Sequence, residues 1–256
     1  MKRQELLDRF DLTDRVVIVT GGSRGIGRAI AEGFAAVGAN VVVASRKAEA
    51  CDEAVSAITA AGGTALSVPT HMAELGQLET LVARTVDAYN GVDIIVNNAA
   101  NALALPIGSI TPEAWQKSFD VNLRAPVFLV QAALPHLRAS AHPAVVNISS
   151  AGAFTKAGFV AMYAAAKTAL LSLTRSMAME FAGDGIRVNA LAPGTVDTDM
   201  VRNTGPDMQA AMVAGQLIPR MARPDEMVPP TLFLASEASS FMTGHVLIVD
   251  GGLTVH

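Results

Sequence analysis

Short apolar runs alternate along the chain with longer stretches in which apolar positions recur every three or four residues. Val16–Thr20, Val41–Ala44, Ala65–Val68, Ile94–Val96, Val145–Ile148, Val188–Leu191 and Val246–Val249 are brief, rich in β-branched residues and bounded by Gly, Asn, Asp or Pro. Runs of that kind predict buried strands. Between them, Gly25–Val37, Ala48–Ala61, Ala73–Tyr89, Pro112–Ala139, Ala161–Gly183 and Pro224–Ala235 predict helices. Such alternation implies an α/β fold: a doubly wound, seven-stranded parallel sheet with right-handed crossovers and helices on both faces. No repeat, low-complexity segment or Pro/Gly/Ser-rich linker divides the chain, so residues 1–256 are expected to form a single domain.

One segment breaks the rhythm. Thr195–Arg223 lacks clean periodicity and carries Gly205, Pro206, Gly215 and Pro219, and its apolar content is methionine-rich: Met200, Met208, Met212 and Met221. A long irregular segment near the carboxyl ends of the strands predicts a flexible lid over about 195–223. Methionine suits it, being adaptable in irregular space; ordinary surface packing of short helices is the alternative.

Composition narrows the function. A chain of 256 residues buries roughly 70–75% of its unfolded surface. It is 51% hydrophobic and only 16% charged, which implies a large core and a buried subunit interface. A formal net charge of −4 with no basic block argues against nucleic acid as a partner. The single cysteine, Cys51, excludes an intrachain disulfide and suits a reducing compartment. Its neighbours Glu49, Asp52 and Glu53 do not activate a thiol, so it is expected to be inert. Met1–Phe10 is charged and amphipathic, unlike a signal peptide, and no run of 18 apolar residues exists to span a membrane. Leu253–His256 is no obvious address signal, and a cytoplasmic location is expected. The five histidines, His71, His136, His142, His245 and His256, never pair at metal-ligand spacing, so no metal site is expected.

Val16 to Gly27 reads as a buried strand, a glycine-rich turn and a helix start. Gly21, Gly25 and Gly27 permit a tight turn, close approach of the backbone to a pyrophosphate, and close helix–strand packing. The helix amino terminus offers free N–H groups and a positive dipole end to phosphates. Ser23, Arg24 and Ile26 lie within this candidate turn.

Tyr163 and Lys167 are four residues apart on a predicted helix, hence on one face. A free phenol has a pKa near ~10, and reaching neutrality takes roughly 2–3 units, about 3–4 kcal/mol. A nearby cation acts in that direction, and a phenol so tuned exchanges protons with a hydroxyl or carbonyl oxygen. Ser150 lies thirteen positions upstream of Tyr163; Ser149 is the other candidate hydroxyl. Asn122 sits in a helix pattern that disfavours Asn. Pro126, four residues later, removes the helical hydrogen bond to its carbonyl.

Together these segments resemble the short-chain dehydrogenase/reductase family, in particular its 3-oxoacyl-reductase-like and secondary-alcohol dehydrogenase members. The spacing Thr20-Gly21-x-x-x-Gly25-x-Gly27 is similar to the family's cofactor turn, and Asn97-Asn98-Ala99-Ala100 to its Asn-Asn-Ala-Gly. Asn122, Ser150, Tyr163 and Lys167 resemble its catalytic tetrad. Pro193-Gly194 through Thr198 and Val249-Asp250-Gly251-Gly252 resemble its two C-terminal landmarks. The resemblance runs from about Arg15 to Gly252. It implies a Rossmann fold and hydride transfer between a nicotinamide and a carbonyl or alcohol carbon of a small-molecule substrate. Tyr163 would be the acid/base, and Ser150 would bond the substrate oxygen. Lys167 would lower the phenol pKa and bond the nicotinamide ribose, and Asn122 would hold a water on the proton path. It adds Asn98, Ala99, Pro193, Gly194, Val196 and Thr198 to the cofactor site.

NAD enzymes carry an acid at the end of strand two. Here Ser45-Arg46-Lys47 follows, and Arg46 offers a planar fork for a 2′-phosphate, to which Ser45 can add a hydroxyl; Arg24, within the glycine turn, resembles the second cation of the family's NADP-preferring members. NADP(H) is therefore expected in preference to NAD(H). His71 stands where the family usually has an adenine-side Asp. The pocket positions Ala100, Leu103, Ala151, Phe154, Met162 and Gly194 are apolar or small, which suits an apolar ketone or secondary alcohol. Acyl-carrier reductases of the family often have a basic residue where this chain has Asp184, which weakens that alternative. A cofactor-binding sensor without turnover is the other alternative, and such relatives tend to lose Tyr, Lys or Ser. The long helices carry more apolar positions than one sheet face needs, and the family pattern implies a homotetramer.

Overall fold

The structure is a computed structural model that describes residues 1–156 and 158–255; His256 lies outside them. In chain order the elements are α1 (Arg3–Leu7), β1 (Val16–Thr20), α2 (Gly25–Ala36), β2 (Asn40–Ser45), α3 (Ala48–Ala60), β3 (Thr64–Pro69), α4 (Leu75–Tyr89), β4 (Ile94–Asn97), α5 (Pro112–Phe119), α6 (Ala125–Ala139), β5 (Ala144–Ile148), α7 (Ala161–Phe181), β6 (Arg187–Pro193), α8 (Asp199–Arg202), α9 (Pro206–Ala214), α10 (Val228–Ala235) and β7 (Val246–Val249). The seven strands form one parallel sheet in the order β3-β2-β1-β4-β5-β6-β7. This is the expected Rossmann-like α/β domain.

Apolar residues line both sheet faces because each is covered by helices. Along β1, Val17 and Val19 join a core with Ile30 and Phe34 of α2, Ile58 of α3 and Leu234 of α10. Ile18, pointing the other way, joins Leu81 of α4, Leu129 of α6 and Met177 of α7. Each fully buried Val, Leu, Ile or Phe contributes about 1.5–3 kcal/mol. Strand order reverses between β1 and β4, and the crevice at the carboxyl ends of these strands is where such sheets bind ligands.

The expected helix Pro112–Ala139 is in fact two helices joined by a π-turn, Asp120–Arg124, in which the Ala125 N–H reaches the Asp120 carbonyl. Pro126 has no N–H for the Asn122 carbonyl, and the ladder loosens in the turn before it. Thr195–Arg223 folds into α8 and α9, neither of which buries a residue. Its root is tied by Asp197 N–H to the Ala222 carbonyl (2.8 Å) and Ala222 N–H to the Thr195 carbonyl (2.9 Å).

Gly194, just past β6, donates its N–H to the Val249 carbonyl at 2.9 Å. A Cβ on Gly194 would lie 2.6 Å from Asp250 Cα and 2.8 Å from its carbonyl oxygen. Gly194→Ala is therefore expected to lower the unfolding free energy by about 1–3 kcal/mol. Denaturant titration reads this directly; an unmoved midpoint would contradict the backbone-on-backbone contact.

Candidate active site

The glycine turn leaves β1 with Gly21 at φ 66° and closes into α2 at Gly25, φ 54°. Its shape is set by β4. Asn98 donates its side-chain amide to the Thr20 carbonyl at 2.9 Å and to the Gly21 carbonyl at 3.3 Å. Thr20 Oγ1 accepts the N–H groups of Asn98 and Ala99, both at 3.0 Å. A Cβ on Gly27 would fall 2.3 Å from Asn98 Nδ2 and from the Gly21 carbonyl oxygen, so only glycine permits this closeness. Ser23 is buried and Ile26 half-buried in the turn. Thr198 lies against it, its Cγ2 3.1 Å from where a Gly25 Cβ would be. Val196 is buried at the root of the following segment. The cradle the turn makes at a helix amino terminus fits a pyrophosphate.

Of the remaining cofactor candidates, Ser45 ends β2, and its carbonyl accepts the Thr70 N–H at 2.8 Å. Arg46 is exposed, and no ion pair among the described residues involves it. Arg24, in contrast, pairs with Asp199 of α8 at 3.6 Å. Pro193 ends β6 beside Gly194. His71, past β3, receives the Ala73 N–H on its ring at 3.3 Å. It borders a surface hollow lined also by Ala73, Pro112 and Gln116, which opens between the approach to α4 and the start of α5 and does not include Tyr163.

Ser150, Tyr163 and Lys167 meet where β5 ends and α7 begins. The Lys167 ammonium is buried, donates to the Ile148 carbonyl at 2.7 Å and sits 5.7 Å from the centre of the Tyr163 ring. Burial disfavours its charge and lowers its pKa to about 8. Burial pushes the Tyr163 phenol above its ordinary value, and hydrogen bonding from Ser150 pulls partly back. Lowering of the phenol by Lys167 is therefore not what the chain alone produces. The amine's hydrogen bond goes to the Ile148 carbonyl, and desolvation acts on both groups. Ser150 Oγ also accepts the Gly152 N–H at 3.0 Å.

Asn122 is fully buried on the π-turn, which packs against α7. Its amide donates to the carbonyls of Asn101 (2.8 Å) and Ser118 (2.9 Å), and its oxygen accepts the Asn101 N–H at 3.2 Å. Sequence reasoning did not single out Asn101, Asp199 or the Ile148 carbonyl. Asn101 carries a faint signal, being a third Asn close behind Asn97-Asn98; a main-chain carbonyl carries none. No metal-binding cluster occurs among the described residues, and no helix there is long and apolar enough to cross a membrane.

A family model described as enoyl-(acyl carrier protein) reductase matches residues 21–254. Dehydrogenase/reductase SDR family member 4 of Homo sapiens is 37% identical over 247 residues, 95% of this chain and 89% of that protein. The cis-4-hydroxycyclohexanecarboxylate dehydrogenase of Sinomonas cyclohexanicum is 39% identical over 243 residues, 94% and 97% of the two chains. A solved structure from Beutenbergia cavernae, described as NAD(P)-dependent and holding NADP at low occupancy, superposes with a TM-score of 0.91 at 36% identity, covering 97% and 100%.

Lys167 has a signature in pH. Below pH 8 the amine is charged in both folded and unfolded chains, and the folded state carries the whole desolvation cost. Between pH 8 and the ordinary lysine value of 10.5 the unfolded chain binds more protons, so stability rises with pH. The unfolding free energy of the wild type relative to Lys167→Met is expected to rise by about 2–3 kcal/mol between pH 7 and pH 10. A pH-independent difference would place the amine in water.

Proposed function

The chain belongs to the short-chain dehydrogenase/reductase family of oxidoreductases, and we propose that it is an NADPH-dependent reductase of apolar ketones, acting reversibly on secondary alcohols. The observation that carries this reading is the junction of Ser150, Tyr163 and Lys167 at the end of β5, beside the crevice bounded by the glycine turn. When bound, the nicotinamide supplies the hydride in reduction and takes it up in oxidation. In reduction Tyr163 gives its phenolic proton to the carbonyl oxygen as hydride reaches the carbonyl carbon, which yields the alcohol. Ser150 donates a hydrogen bond to the same oxygen and stabilises charge developing there. Lys167 provides the adjacent positive charge and would bond the ribose of the bound nicotinamide nucleotide. Asn122 holds the loop at Asn101, and its main-chain carbonyl, freed by Pro126, would support a water on the proton path.

Gly21, Ser23, Gly25, Ile26 and Gly27 would hold the pyrophosphate; Asn98, Ala99, Pro193, Gly194, Val196 and Thr198 would line the rest of the dinucleotide. Arg46, exposed and free of carboxylates, supports a 2′-phosphate site with Ser45 and Arg24. The NADP in the Beutenbergia structure supports the same choice. Residues 195–223 would act as the lid of a single catalytic domain, consistent with helices α8 and α9 that bury nothing. The Sinomonas relative's name points to an alicyclic alcohol as the substrate type to try first. The matched model's description points instead to enoyl reduction. Ser150 and the four-residue Tyr163–Lys167 spacing favour carbonyl chemistry, and 3-oxoacyl thioesters are the second reading. A cytoplasmic homotetramer completes the proposal. Exposed apolar surface supports it: Trp115 stacked on Phe119 at 4.3 Å, Met179 on α7, and Ile248 on the edge strand β7.

Tyr163→Phe is expected to reduce NADPH-dependent ketone turnover by 10²–10⁴-fold while NADPH binding by fluorescence titration changes less than twofold; substantial residual turnover would contradict the proton role. Arg46→Asp is expected to move the ratio of kcat/KM for NADPH over NADH down by at least tenfold, and an unmoved ratio would remove Arg46 from the phosphate site.

A further inference from the structure

Ser149 precedes Ser150 and faces the other way. Its hydroxyl is buried and donates to the Lys167 carbonyl at 3.1 Å. The Lys167 ammonium donates to the Ile148 carbonyl at 2.7 Å. Two consecutive residues at the end of β5 therefore hold both parts of one lysine, the first its side chain and the second its main chain. Two residues earlier, on the same strand face, Asn147 donates to Thr174 Oγ1 at 2.9 Å and accepts from Asn97 of β4 at 2.9 Å. Thr174 is seven residues beyond Lys167, two turns along the same face of α7. β5 and α7 are thus pinned at two levels of one seam.

We propose that Ser149 is a positioning residue. It fixes α7 against β5 so that the Lys167 amine rests on the Ile148 carbonyl and Ser150 turns to the opposite face, toward Tyr163. The proposal rests on the reading of Ser150, Tyr163 and Lys167 given above. Side chains alternate along extended backbone, and Ser150 is extended at φ −165° and ψ 149°. With Ser149 committed to the helix, Ser150 is committed to the cleft. The Lys167 carbonyl lies inside α7, where the helical ladder already provides it with a partner. The Ser149 hydroxyl therefore supplies no missing bond. What it adds is a fixed separation between strand and helix at the residue whose amine must be placed. Alanine fills nearly the same volume, so packing alone does not call for serine here. No ion pair among the described residues reaches Lys167. Asp120 and Arg124, on the π-turn packed against α7, pair with each other at 3.1 Å. Tyr163 is its titratable neighbour, on its own helix.

The test compares wild type, Ser149→Ala and Ser149→Thr, using NADPH and a turned-over ketone. Loss of one neutral hydrogen bond, about 1 kcal/mol, corresponds to roughly a fivefold fall in kcat. That fall is expected in S149A, with the NADPH Kd within twofold and recovery in S149T. A second readout needs no turnover. In protein carrying ε-¹³C lysine, the Lys167 resonance, assigned with Lys167→Arg, is expected to titrate near pH 8 in the wild type. In S149A it is expected to move toward the ordinary lysine range as the amine gains water, and in S149T to return. A Lys167 titration unmoved in S149A overturns the proposal, whatever happens to kcat. So does a fall in kcat matched by equal loss of NADPH binding. A wild type that turns over no ketone would instead sink the catalytic reading, while the titration still decides the role of Ser149.

Discussion

A buried ammonium resting on a main-chain carbonyl, Lys167 on Ile148, is the constraint around which the site is arranged. A charge in that environment is costly, and the chain accommodates it by lowering its pKa to about 8 rather than by pairing it with a carboxylate. An amine that changes charge close to neutral pH is suited to proton traffic in a way that a solvated lysine is not. The arrangement requires β5 to end where α7 passes, and the parallel sheet secures this by pairing β5 with β4 on one side and β6 on the other.

The same strand ends organise the opposite side of the crevice. Asn98, just past β4, clamps the glycine turn with its amide and N–H through Thr20 and Gly21. β4 itself ends in Asn97, which reaches across to Asn147 of β5. Amide side chains at the tips of three adjacent strands thus link the turn to β5 and, through Asn147 and Thr174, to α7, which carries Tyr163. Precise relative placement of this kind is what transfer between two bound partners demands.

Much of this was legible in the chain. The limits of β1 and β7 match the apolar runs, and the other strands extend those runs by one to three residues, because flanking residues such as Asn40 and Pro193 pair through backbone alone. The glycine turn was legible because φ near +60° at Gly21 leaves few other residue types. The break at Asp120–Arg124 was not read as a break, although Pro126 and Asn122 both marked it; apolar periodicity simply continued across it. The direction of the Lys167 side chain was illegible, since its acceptor is a carbonyl that every residue carries. The Arg24–Asp199 pair was hidden for another reason: the two residues are distant in sequence, and both are ordinary surface types.

The strand order has a consequence for synthesis. β1 lies between β2 and β4, yet β4 begins 74 positions after Thr20, at Ile94. A nascent chain emerging from the ribosome can zip β3, β2 and β1 together first, but one flank of β1 stays open until β4 arrives. For that interval a wholly apolar ribbon, Val16 to Val19, presents unpaired amides to its surroundings. The interval between the emergence of β3 and that of β4 is therefore when this edge is most exposed to wrong pairing.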